Sequence, residues 1–339
     1  MKPSSSAARF SFPYLQVLIL SLIFTVLYIM SVGQDWEYSS IVKQGTFHVH
    51  APVLFRFLIP FILCHVYIPH HVLDTNPFRF GAALVSVIPC FVLLRPYAER
   101  LAGRVLEPRL LNIVFFTILS MHYTGARILN CYYVYDFPAI GFYMIIFLML
   151  TSANLRTVGL GVALAVVFSL SRETVIFATF HAAAFHFVRQ QPYFSRKFFR
   201  AVWPTALACL LIGLVHLLQL HLWHYSVATS VASHTDGDFR FVYFAKRILS
   251  DREVQVQLLY FGCGILLWLP CIFFRLNKLE KFLLLATIPG LIMLEYAGNM
   301  VELRIYNEFV PFITFLFFKY LLLGDREPEA AQGDKKIGF

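Results

Sequence analysis

Two acids, a tryptophan and a tyrosine stand together in "GQDWEYSS", at Asp35, Trp36, Glu37 and Tyr38, immediately after a long apolar run. A carboxylate at such a place could take the proton of an attacking hydroxyl, a sugar's for example, because a hydroxyl is a weak nucleophile until a base comes within hydrogen-bond reach. It could equally be a wetted loop whose tryptophan and tyrosine join an interfacial aromatic belt. "YYVYDFPAIGF" sets Asp136 beside Tyr132, Tyr133 and Tyr135 at the mouth of a second apolar run. Asp136 there can cap the helix that follows, accepting its unpaired amides, or meet a ligand. In "FSLSRETVIF", Arg172 and Glu173 interrupt apolar sequence. A charge within lipid costs several kcal/mol unless paired, so Arg172 either joins a structural ion pair or holds a phosphate, whose oxygens a guanidinium matches in pairs. "VELRIYNEF" gathers Glu302, Arg304, Tyr306 and Glu308. Arg304 and Glu308 are four residues apart and can pair on one helical face. Arg56, in "FRFLIP", is a lone cation in an apolar setting.

The elements that must position these residues follow from composition. Of the 339 residues 59% are hydrophobic and 14% charged, and the mean hydropathy is +0.68. Soluble domains carry about 25% charged residues, so this composition describes a polytopic membrane protein, all-α, with helices as the spanning elements. Apolar runs near the length of a span, about 20 residues, cover 12–32, 80–95, 110–125, 138–152, 157–170, 173–188, 202–224, 255–274, 281–297 and 304–323. The first is too long for the apolar core of a signal peptide and reads as an uncleaved span. A further run, 51–69, carries Arg56, Pro60 and Pro69.

Basic residues concentrate at 95–109, 189–200 and 275–281. Retained lysine and arginine mark the cytoplasmic side. These clusters and the N-terminus share that side if 51–69 lies along the membrane surface, giving ten spans; eleven result if it crosses. Ten is the expectation, with one membrane domain over 1–324 and a cytoplasmic polar tail at 325–339. The acidic and aromatic segments then share the outer face. The net charge of +9 is explained by these inner clusters, and no nucleic-acid partner is expected. Cysteine and histidine spacings form no metal signature, and a Walker loop, a GxGxxG turn and a GxSxG elbow are all absent from the sequence.

The order of these features resembles the GT-C superfamily of polytopic glycosyltransferases, the mannosyltransferase-like members in particular. The likeness covers about the first 190 residues: "DWEYSS" after the first span, a surface helix leading into Pro52, Arg56, Leu58 and Pro60, then "YYVYDFPA" and "SLSRETVIF". The resemblance implies a polyprenyl-phosphate sugar as donor and a lipid or glycan as acceptor. Asp35 would be the general base, with Glu37 its competitor, and Arg172 or Arg304 would hold the donor phosphate. The aromatic groups of Trp36, Tyr132, Tyr133 and Tyr135 would stack on sugar. A divalent cation is compatible with this chemistry and not required by it. The implied location is a bacterial inner membrane, with the site facing outward. Two other classes compete. A polysaccharide polymerase or ligase would use the loop at 225–253, with Arg240, Lys246, Arg247 and Arg252. A secondary transporter would be expected to show an internal repeat, and none is visible.

Overall fold

The computed structural model describes residues 6–32, 40–48, 56–66, 68–124, 132–190, 192–222, 249–297 and 303–323; within these, some side chains, including those of 6–13, 173, 290–297 and 303–305, are not described. Asp35, Trp36, Glu37, Tyr38, Glu302 and the 325–339 tail therefore lie outside the described residues, as does most of the 225–253 loop. Helix is the regular secondary structure of the described residues, and none of them forms a strand. Long helices are α1 (Ser6–Ser31), α5 (Asn76–Ala102), α6 (Pro108–Thr124), α7 (Asp136–Leu150), α8 (Leu155–Ser169), α9 (Ile176–Arg189) and α10 (Arg196–Leu222). Short ones, α2 (Ile41–Gly45), α3 (Leu58–His65) and α4 (His70–Leu73), join α1 to α5. The chain continues through α11 (Arg252–Tyr260), α12 (Ile265–Ile272), α13 (Lys278–Ala297) and α14 (Val310–Phe317).

Among the described residues, three helices are long and apolar enough to cross a membrane, at Tyr14–Ser31, Asn76–Ala102 and Arg196–Gln219. Their outward faces are apolar: Leu15 and Leu18 on α1, Trp203 and Leu217 on α10 are all exposed. That is how a helix presents itself to lipid rather than to water. Two expected spans have a different form. The run 255–274 is broken at Gly264, whose φ of +77° is a left-handed conformation, so α11 ends in a 3-10 turn and α12 restarts beyond it. The run 304–323 is a 3-10 turn (Leu303–Phe309), then α14, then a π turn (Phe318–Leu322).

At the centre stands α7, with Ile140, Tyr143, Met144 and Phe147 fully buried. It packs against α5, α8 and α9, while α1 lies against α5 and α6, and α9 against α10 and α13. The α7–α8 approach is set by Gly161, where an added Cβ would come within 2.9 Å of the Met149 Cβ. Small residues let apolar helices close up in this way. Local signals terminate the elements. Asn154 caps α8 by accepting the Arg156 amide at 3.0 Å. Gly103, with φ +68°, ends α5 with its amide on the Glu99 carbonyl. Asp74 accepts the Ser40 hydroxyl at 2.6 Å and the Ile41 amide at 2.7 Å, tying the start of α2 to the end of α4.

Candidate functional site

Three charged side chains from three distant segments meet at one end of α7. Asp136 is the first residue of that helix, delivered by the turn Tyr133–Val134–Tyr135, where the Asp136 amide donates to the Tyr133 carbonyl at 3.2 Å. Arg172 sits in the tight turn between α8 and α9, its amide held by the Phe168 carbonyl at 3.1 Å. Glu308 comes from the 3-10 turn that leads into α14. The Arg172 Nη1 donates to Asp136 Oδ1 at 2.7 Å, and its Nε lies 3.1 Å from Glu308 Oε1. The Thr174 hydroxyl also donates to Glu308 Oε1. Asp136 and Arg172 are each 1% exposed and Glu308 0%. A cation between two carboxylates satisfies the requirement that buried charge be paired. Burial alone would depress the Arg172 guanidinium pKa; Glu308 and Asp136 outweigh it and hold the group above its ordinary value.

This geometry revises one sequence reading. Asp136 is not the cap of α7: Tyr135 occupies that position, with no side-chain bond to the helix amides, and the Asp136 carboxylate goes to Arg172. Glu308 Oε1 is taken by Arg172 and Thr174. A guanidinium enclosed in the turn needs counter-charge more than a helix end needs one further acceptor.

The segment bearing Arg56 docks on the same turn. The Leu58 amide donates to the Leu170 carbonyl at 3.2 Å. The Arg56 guanidinium lies over the Tyr135 ring, 5.8 Å from its centroid, and repels Arg172 electrostatically. Tyr133 stacks beside Tyr135 at 5.2 Å. Arg56, Tyr133, Tyr135, Asp136, Arg172 and Glu308 are thus brought together. Tyr132 faces a neighbouring group, against Tyr28 and under Arg79, whose guanidinium is 5.5 Å from its ring centre. Tyr306 packs on Phe261 at 5.2 Å. The side chains of Glu173 and Arg304 lie outside the described residues.

Further polar groups line this region. Asn307, beside Glu308 and fully buried, accepts through its Oδ1 from the His122 Nε2 at 3.0 Å. Ser171 Oγ, Asn307 Nδ2 and Glu308 Oε2 are buried and have no hydrogen-bond partner among the described residues. Deeper in the bundle, the hydroxyls of Tyr97 and Tyr143 meet at 2.8 Å, Tyr143 reaches His181 Nδ1 at 2.5 Å, and His181 Nε2 meets the Thr287 hydroxyl at 3.1 Å. A histidine and a threonine spaced within apolar spans were the available signal for this chain. Among the described residues, no group of three or more histidine, cysteine or acidic side chains is placed to hold a metal ion. No known family model, curated protein or solved structure matches this chain.

Proposed function

We propose that this protein is a polytopic membrane glycosyltransferase of the GT-C kind, moving a sugar from a polyprenyl-phosphate donor to a lipid or glycan acceptor. The observation that carries the reading is the convergence of Asp136, Arg172 and Glu308, buried together beside three polar atoms that have no hydrogen-bond partner among the described residues. A buried polar atom left unmet costs about 1–3 kcal/mol. Ser171 Oγ, Asn307 Nδ2 and Glu308 Oε2 supply the mixed donors and acceptors that sugar hydroxyls require. Ten spans fit the same reading, because α3, eight residues long, rises only about 12 Å and falls short of a hydrocarbon core of about 30 Å.

In this reading the triad is the floor of the site. Arg172 is already matched by two carboxylates, so it orients Asp136 and Glu308, and the donor phosphate falls to Arg56 and Arg304. Charge that grows on the departing lipid phosphate is stabilised by cations already in place. Tyr133 and Tyr135 flank the sugar. Asp35, with Glu37 as alternative, takes the acceptor proton in a single inverting displacement. A divalent cation is not needed for a monophosphate leaving group. The protein sits in a bacterial inner membrane with this end facing outward.

The test is transfer from radiolabelled polyprenyl-phosphate mannose, glucose or arabinose to candidate acceptors by purified protein. Transfer by wild type, lost in Asp35→Asn and retained in Glu37→Gln, is expected. Equal transfer by wild type and Asp35→Asn removes Asp35 as the base. The complete burial of the triad also favours a secondary transporter, in which buried ionisable groups mark the pathway. Proton-coupled uptake into proteoliposomes without any transfer would select that reading instead.

A further inference from the structure

At the end of α7 opposite the triad, three arginines gather. The α7 axis of 15 residues separates the two ends by about 22 Å. Arg100, near the end of α5, donates through Nε to the Thr151 hydroxyl at 3.3 Å and through Nη2 to the Thr151 carbonyl. Its guanidinium lies 5.9 Å from the centre of the Phe185 ring, and that of Arg189 lies 5.7 Å from the same ring. Arg189 also reaches the α5–α6 turn, its Nη2 lying 3.5 Å from where a Cβ on Gly103 would be. The next residue is Arg104, which is exposed. Among the described residues, none of these three arginines has an ion-pair partner, whereas Arg95 on the same helix is paired with Glu99 at 2.8 Å. Arg100 and Arg189, held on one ring, repel each other, and an anion between them relieves that repulsion.

Arg104 lines a cavity of about 670 Å³ whose other walls are Val105, Leu106, Glu107, Phe318 and Leu321–Leu323. Glu107 turns its Oε1 to the Arg109 amide at 3.3 Å. The remaining walls are apolar, and Val105, Leu321 and Leu322 are exposed. The wall from 318 to 322 is the π turn, a departure from regular helix often found at functional sites. A free phosphate would leave these apolar walls uncovered. A molecule with an anionic phosphate and a hydrocarbon chain meets both parts at once.

We infer that Arg100, Arg104 and Arg189, with the adjoining cavity, form a binding site for an anionic membrane phospholipid. Its phosphate sits among the guanidiniums, and an acyl chain lies over Val105, Leu321 and Leu322. The site stands independently of the glycosyltransferase reading, since it uses none of that site's residues and lies at the other end of the bundle.

The experiment is native mass spectrometry of the full chain released from nanodiscs of phosphatidylglycerol and phosphatidylcholine in equal parts. Wild type is expected to retain phosphatidylglycerol selectively. Each arginine near an anionic lipid surface contributes on the order of 1 kcal/mol, so Arg104→Gln and Arg189→Gln should each lower that selectivity about fivefold. Lys197→Gln and Arg200→Gln, on exposed positions of α10, should leave it unchanged. Equal losses in all four variants would mean a diffuse basic surface and overturn the proposal. Unaltered selectivity in Arg104→Gln and Arg189→Gln would overturn it too, as would displacement of the lipid by millimolar inorganic phosphate.

Discussion

Replacing Arg172 with methionine tests whether the buried charges hold the fold together as the geometry implies. In the native protein, Arg172 touches Asp136 at 2.7 Å and Glu308 at 3.1 Å, and all three are almost wholly out of solvent. Methionine keeps the volume and removes the cation that lies between the two enclosed carboxylates. Breaking a buried pair in this way costs about 3–5 kcal/mol. That is a factor of roughly 150 to 5,000 in an unfolding equilibrium constant. The assay is equilibrium unfolding in mixed micelles or, where refolding fails, the unfolding rate at fixed temperature. The companion variant, Arg172→Met with Asp136→Leu and Glu308→Leu, removes every charge together and should recover stability to within about 1 kcal/mol of wild type, since apolar residues of similar volume replace buried ion pairs at little cost. The proposed transfer activity should be absent from this stable triple variant. A loss below about 1 kcal/mol for Arg172→Met alone would refute the reasoning, because the ion pairs of Arg172 would then not be what holds these three segments together.

Asp74→Ala removes the acceptor of both the Ser40 hydroxyl and the Ile41 amide; a lost cap of this kind costs about 1–2 kcal/mol, and faster amide exchange over 40–48 is the readout. Gly161→Val places atoms inside the 2.9 Å approach to Met149 and should destabilise by about 1–3 kcal/mol in the same unfolding assay, with Gly159→Val, which meets open space, as the tolerated control. Tyr143→Phe strands the buried groups of Tyr97 and His181, a cost of about 1–3 kcal/mol; His181→Phe combined with Tyr143→Phe should cost less than the sum of the two single changes.

What the sequence disclosed, and what it concealed, divides along physical lines. Helix positions were legible because apolar runs have few alternatives in lipid: 138–152 became α7, 157–170 became α8 and the described part of 202–224 lies within α10. The break at Gly264 was not, since a single glycine in apolar sequence permits a left-handed residue without requiring one. Arg172 was conspicuous because an unpaired cation in such a run is costly, and its place in a turn between two helices follows from "SLSRE". Which carboxylates it would meet was hidden. Asp136 had a nearer partner in sequence, a helix end, and local rules favour near partners. The tertiary fold overrode that rule and carried its carboxylate to Arg172. The arginines at 100 and 189 looked like ordinary solvated charge, and only the packing of α5 and α9 on Phe185 shows them sharing one ring.

The order in which the triad becomes available during synthesis has a consequence of its own. Glu308 follows Arg172 by 136 residues (308 − 172), which at about 5–20 residues per second is roughly 7 to 27 s of translation. Throughout that interval the nascent chain carries Arg172 with Asp136 as its only native carboxylate partner in the triad. The half-made protein is therefore the form in which this arginine is most open to mispairing and to capture by quality-control proteases. Arrival of Glu308 closes that window, so chains interrupted before residue 308 should be cleared faster than chains interrupted after it.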